Sequence, residues 1–130
     1  MDSKAINEIT EAIIGRVIFI HQKLGPGLLE SVYQRVLVFE LIEMGYRVES
    51  EVSISVRWKN KEIGDAFRAD LIVNDVVLVE LKSTEIASQV HWKQTKTDAV
   101  LAGKPVGLLI KFGKETLIEG VSRIANGIKD

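Results

Sequence analysis

The sequence predicts an α/β domain in which two helices precede a ladder of strands and one further helix interrupts that ladder. Three patterns predict it. Apolar residues recur every three or four positions between Lys4 and Leu24, alternate with polar ones after Arg47, and then run unbroken through Val76-Val77-Leu78-Val79.

In the first segment Ile6, Ile9, Ile13, Val17, Ile20 and Leu24 stack along one stripe of an amphipathic helix. Leu24-Gly25-Pro26-Gly27 breaks it. Pro26 suits the first turn of a new helix, where its missing N–H would have no intrahelical partner, so a second helix is expected from Pro26 to Met44, stopping at Gly45. Val48, Val52, Ile54 and Val56 then fall at even positions, as in a strand with one half-exposed face, and Lys59-Asn60-Lys61 reads as a turn. Ala66 to Val73 and Val76 to Leu81 read as two more strands joined around Asn74-Asp75, the second apolar on both faces and hence central. A helix from Ser88 to Ala102 ends at Gly103, a strand covers Val106 to Phe112, and a weaker strand follows near Thr116 to Ile118. The order is α, α, β, β, β, α, β plus that last strand. With 130 residues and no repeat or linker-like run, residues 1–130 are expected to form one domain.

Composition narrows the chemistry. The chain has no Cys and two His, which excludes a disulfide framework, a zinc-thiolate site, a cysteine nucleophile and a multi-histidine cage. A metal site must lean on carboxylates. The net charge of −1 hides an asymmetry: residues 1–51 carry five basic and eight acidic side chains, whereas residues 82–114 carry six Lys against Glu85 and Asp98. Apolar runs are short and broken by charge, and MDSKAINEIT lacks a secretory pattern, so a cytoplasmic location is expected, with neither membrane spanning nor export.

The segment from Arg68 to Lys82 puts ionisable groups into strands otherwise built for burial, where a charge needs a partner or a metal. Glu80 and Lys82 are two apart and project from one face. Whether Asp70 joins them depends on the hairpin. A two-residue Asn74-Asp75 turn leaves Asp70 opposite Val79, whereas a three-residue loop, Asn74 to Val76, or an equivalent bulge, sets Asp70 opposite Glu80. A functional site requires the odd loop. Two carboxylates so placed repel unless one keeps its proton or a divalent cation neutralises them, and hard oxygen ligands favour Mg²⁺ or Mn²⁺. The same residues also read as an ordinary ion network with no metal.

In the second helix Gly27, Glu30 and Tyr33 follow at intervals of three, which places them along one face, with Gly27 permitting close approach of another element. The alternative is a surface Glu and a core Tyr. Lys93 and Lys96, with Trp92 beside them, suit a phosphate backbone and an unpaired base, or else form a solvated face with Trp92 in the core. His91 reads as an acid or base or as a surface residue, and His21 as a group fixing the start of the second helix; neither is assigned a catalytic role.

The Gly27, Glu30, Tyr33 spacing, preceded by His21 and Leu24-Gly25-Pro26 and followed by Arg68-Ala69-Asp70, Val79-Glu80-Leu81-Lys82 and Gly107-Leu108-Leu109-Ile110, resembles the GxxExxY proteins. These are a small, mostly prokaryotic branch of the PD-(D/E)XK nuclease-like superfamily. The resemblance runs from about residue 6 to the Ser122-Arg123-Ile124-Ala125-Asn126-Gly127 segment. It implies a restriction-endonuclease-like αβββαβ core, a mixed central sheet flanked by helices, with an extra N-terminal helix. It further implies that Asp70 and Glu80 ligate Mg²⁺ or Mn²⁺, that Glu30 completes the shell, that Lys82 is the motif lysine and that Gln94 is an auxiliary. Asp98 stands where relatives typically carry a Tyr, and Lys111 where an Asn is commoner; both changes are expected to lie outside the metal shell.

The implied activity is phosphodiester hydrolysis in a nucleic acid, DNA ahead of RNA, with Tyr33, Trp92, Lys93 and Lys96 as candidate contacts. Such a site predicts Asp70, Glu80 and Glu30 oxygens converging on a point about 2.0–2.6 Å from each. The short chain leaves little room for a recognition domain, so a homodimer or a partner is expected to supply substrate geometry. Rival readings are a non-catalytic nucleic-acid or protein-binding module and a hydrolase using two carboxylates as acid and base, against which Lys82 argues because glycoside chemistry does not require that amine.

Overall fold

The computed structural model describes residues 2–83, 89–113 and 120–126. The described elements are α1 (Ser3–Leu24), α2 (Glu30–Glu43), β1 (Val48–Trp58), β2 (Lys61–Val73), β3 (Val77–Lys82), α3 (Gln89–Leu101), β4 (Val106–Lys111) and β5 (Val121–Ala125). The strands form one sheet in the order β1-β2-β3-β4-β5. Among the described strands only β3 and β4 pair in parallel, and α3 lies in their crossover. The αβββαβ core is thus present, with α1 added before it and β5 after it.

Two apolar layers fix the sheet. Ile6, Ile9, Ile13, Val17 and Ile20 of α1, with Tyr33, Leu37 and Leu41 of α2, bury against the β3 residues Val77, Val79 and Leu81 and the β4 residues Val106, Leu108 and Ile110. Leu24 is the exception in the α1 stripe, being 41% exposed. Ile72 and Leu78, of the opposite parity, join Ala69 in a smaller cluster on the α3 side, against which Ala102 packs. Gly107 permits the close seating of α3, since a Cβ there would come within 3.2 Å of Thr95 Cγ2.

The start of α2 differs from the expectation. Gly25 and Gly27 have φ of +70° and +103°, outside any right-handed helix, so Pro26 belongs to a loop and α2 begins at Glu30. Likewise, the alternation in β1 does not mark one continuous face. Val48 packs with the α1/α2 layer, but Val52 and Ile54, of the same parity, pack with the α3-side cluster. Between them stands Glu51, a non-glycine residue at φ +52°. The strand expected near Thr116 to Ile118 lies outside the described residues, as does Ser88, and β5 at Val121–Ala125 was not anticipated because only Ile124 in it is buried.

Candidate active site

The loop between β2 and β3 sets the register. Asn74 and Asp75 both have positive φ and Val76 N–H donates to Val73 C=O at 3.1 Å, forming a tight turn, yet Val73 pairs with Val77. Val76 is therefore the extra, bulged residue. The pairs Leu71–Val79, Ile72–Leu78 and Val73–Val77 keep a constant sum, and one further step along the same register sets Asp70 opposite Glu80.

Beyond Leu71–Val79 the two strands part, and carboxylates take over the freed amides. Asp70 Oδ2 accepts from Leu81 N–H at 2.7 Å, and Glu30 Oε1 accepts from Ser83 N–H at 3.1 Å. Leu81 and Ser83 are two apart and present their N–H groups along one edge of the strand, so two acids from different elements grip one backbone segment. The released Asp70 carbonyl accepts from Gln34 Nε2 at 3.2 Å, and the same nitrogen reaches Glu51 Oε1 at 3.2 Å. Neither Gln34 nor Glu51 stood out in the sequence. Glu51 is opposite Asp70 by the register of its neighbours, Ser50–Leu71 and Val52–Ala69, so the backbone reversal in β1 sits beside the candidate carboxylate.

Glu80 is the most perturbed group. Its side chain is buried on the α3 face and shares a hydrogen bond with Asp98, while its Oε1 has no partner. Burial first, then the charges of Asp70 and Asp98, push its proton affinity up to about 9, partly opposed by Lys82. Burial also raises Asp70, with Glu51 and Glu30 adding repulsion and the Leu81 amide and Lys82 opposing it. Asp98 is raised by burial in turn, against the Glu80 hydrogen bond and Lys82. Asp98 therefore stands next to Glu80 in the candidate site, beside the carboxylates expected to form the metal shell. Lys111 is also close, paired in parallel register with Lys82 and buried at the end of β4. Across from them the His91 ring is held below its ordinary pKa by burial and then by Lys111 and Lys82, and its Nδ1 has no hydrogen-bond partner.

The donor chemistry suits a hard divalent cation: all-oxygen ligands, mutual repulsion, one buried carboxylate oxygen without a partner and an ammonium beside them. Among the described residues, however, no three His, Cys, Asp or Glu side chains cluster as a metal cage. The expected three-oxygen convergence of Asp70, Glu80 and Glu30 is accordingly not drawn together: Asp70 and Glu30 are turned onto backbone amides and Glu80 onto Asp98.

The Gly27, Glu30, Tyr33 segment acquires a physical meaning. The Tyr33 hydroxyl donates to Gly25 C=O at 2.5 Å and accepts from Leu28 N–H at 3.1 Å, which pins the loop that delivers Glu30 to the first turn of α2. Its ring is fully buried and stacks on Phe112 at 3.9 Å and 5°. Phe112 N–H in turn donates to Lys82 C=O at 2.8 Å. Tyr33 therefore offers no surface to a nucleic acid, and the expectation that it does is corrected: its ring is core. A Cβ on Gly27 would meet nothing within 4 Å, so its left-handed φ, and not close approach, is what requires glycine.

On α3 the sheet-facing residues are Thr95, Asp98 and Ala99. Gln94 is exposed and lies one turn before Asp98. Trp92, Lys93 and Lys96 turn toward solvent, where they help to line a shallow depression of about 400 Å³. Trp92 is 41% exposed, with Lys96 Nζ 5.7 Å from its ring centroid, so it is not a core residue. His21 is buried near Phe112, and its carbonyl accepts from Gly25 N–H at 2.7 Å at the end of α1. Among the described residues no helix is long and apolar enough to cross a membrane.

No curated protein and no solved structure matches the chain. A family model does: that of the PD-(D/E)XK nuclease superfamily matches residues 7–124, from within α1 to within β5. The match covers nearly the whole sequence, and the chain belongs to the PD-(D/E)XK nuclease superfamily.

Proposed function

We propose that this protein is a metal-dependent nuclease of the GxxExxY branch, hydrolysing phosphodiester bonds of a nucleic acid, with residues 1–130 acting as one catalytic domain. The observation that supports the reading is the bulge at Val76, which gives β2 and β3 the register Leu71–Val79 that, continued one step, points Asp70 toward Glu80 on the face that Lys82 shares. An ordinary two-residue hairpin would have separated them.

Asp70 and Glu80, with Glu30, would hold Mg²⁺ or Mn²⁺. Such an ion, when bound, supplies Lewis-acid stabilisation of charge on the phosphate oxygens. Lys82 would orient the attacking water and offset the negative charge that develops on the phosphate oxygens. Burial against the sheet excludes bulk water from Glu80, and Asp98 holds the Glu80 side chain toward α3 until the site is charged. Glu30 and Asp70 leave the Ser83 and Leu81 amides as they turn inward. Gln94, one turn before Asp98, lies beside the substrate path, with Trp92, Lys93 and Lys96 farther round α3.

The Glu80–Asp98 hydrogen bond favours a second reading, in which the carboxylates satisfy one another and the domain binds nucleic acid without cleaving it. Cleavage assays on duplex and single-stranded DNA and on RNA, with Mn²⁺ or with chelator, separate the two. The nuclease reading requires cation-dependent cleavage that Lys82→Ala abolishes while the fold persists. Nucleic-acid binding without cleavage under any cation supports the second reading.

A further inference from the structure

β1 and β2 are much longer than the sheet needs. β3 pairs only with Leu71, Ile72 and Val73 of β2, and residues 61–66 of β2 are all exposed. Val52, Ile54, Phe67 and Ala69 still pack on the α3-side cluster, and beyond them residues 55–66 form a two-stranded arm. Its tip is a tight turn with Lys59 and Asn60 at φ +50° and +63°, braced by Arg57 Nη2 donating to Asn60 C=O at 3.3 Å.

The tip has a distinct composition. Residues 57–61 carry Arg57, Lys59 and Lys61 and no acid, around a Trp58 that is 66% exposed. Glu62, opposite Arg57 in the ladder, and Asp65 lie behind it, and Ile63 is 64% exposed on the returning strand. An indole costs stability when left in water, and among the described residues this one stays largely uncovered. Cations on both sides of it suit a polyanion whose bases stack, whereas two copies meeting tip to tip would bring like charges together.

We propose that the β1–β2 arm is a nucleic-acid-binding arm: Arg57, Lys59 and Lys61 engage the sugar-phosphate backbone and Trp58 stacks on a base. The proposal rests on the nuclease reading only in placing the duplex over Asp70. From Val52 to Trp58 the strand spans ~20 Å, about six base-pair steps, so a duplex on the site meets the tip within the adjoining turn. A two-stranded ribbon is also of a width that the major groove admits.

The test uses the full chain and a short labelled DNA duplex with a single-stranded overhang, whose unpaired bases Trp58 can stack on, in chelator, read by fluorescence anisotropy over a salt series. Trp58→Ala is expected to weaken binding at least about tenfold. Lys59→Ala with Lys61→Ala is expected to lower the salt slope by about two, with the fold unchanged by circular dichroism and Mn²⁺ binding unchanged by calorimetry. Wild-type affinity and slope in both variants would overturn the proposal, as would a wild type that does not bind the duplex. Self-association lost in Trp58→Ala without loss of DNA affinity would overturn it in favour of a protein interface. A wild type that binds through Trp58 yet never cleaves would sink the nuclease reading and leave the arm standing.

Discussion

Asp70 Oδ2 accepts from Leu81 N–H at 2.7 Å, and because Val76 is held outside the ladder the β2–β3 register, continued one step past Leu71–Val79, sets Asp70 across from Glu80. One residue decides which face Asp70 occupies. The arrangement forces two carboxylates, with Asp98 as a third, into a partly buried space that Lys82 shares. Their proton affinities rise, and the consequences are measurable.

Without metal, stability should fall as pH rises. Glu80 in the folded chain holds its proton up to about 9, whereas in the unfolded chain it loses it in the ordinary carboxylate range. Between those limits the folded state binds more protons, so each upward step in pH favours unfolding; the raised Asp70 and Asp98 act with the same sign, and Lys82 opposes them. Glu80→Gln removes the largest contribution. Thermal unfolding in chelator should give a flatter profile for the variant and a higher Tm than wild type toward the alkaline end; parallel profiles would contradict the electrostatics.

Tyr33→Phe keeps the ring on Phe112 but removes the hydroxyl that pins Gly25 and Leu28. A loss of about 1–2 kcal/mol is expected, read by urea denaturation, because both backbone partners are left unsatisfied. Hydrogen exchange should quicken at the start of α2, where Glu30 lies, and not at β4. Uniform exchange across the two would show that the hydroxyl does not position Glu30.

Gly27→Ala separates conformation from contact. A methyl group has open space there, yet φ +103° is strained for any L side chain, so a cost of about 1–2 kcal/mol is expected. An unchanged denaturation midpoint would mean that the loop relaxes freely.

How much of this was legible follows the range of the interactions. The central strand and the odd hairpin, with the register it sets, can be reasoned out because they depend on local pattern and on one loop. The start of α2 was misplaced because proline at a helix start and proline in a loop look alike until the φ angles of Gly25 and Gly27 are known. Spacing alone leaves Tyr33 open as core ring or nucleic-acid contact, because the partner that settles it, Phe112, is distant in the sequence. Asp98 was set aside for the same reason: the rotation of α3 against the sheet, fixed at Gly107, decides that it meets Glu80, and no local spacing encodes that. The arm was invisible because its length depends on where β3 stops pairing.

The most direct test of the central claim is a calorimetric titration of Mn²⁺ into wild type, Asp70→Ala and Glu80→Ala, with the fold of all three verified. The account predicts saturable binding by wild type that both substitutions abolish, accompanied by proton release as Glu80 ionises. Binding that survives in both folded variants, or a wild type that takes up no Mn²⁺ with or without a DNA duplex present, would contradict it.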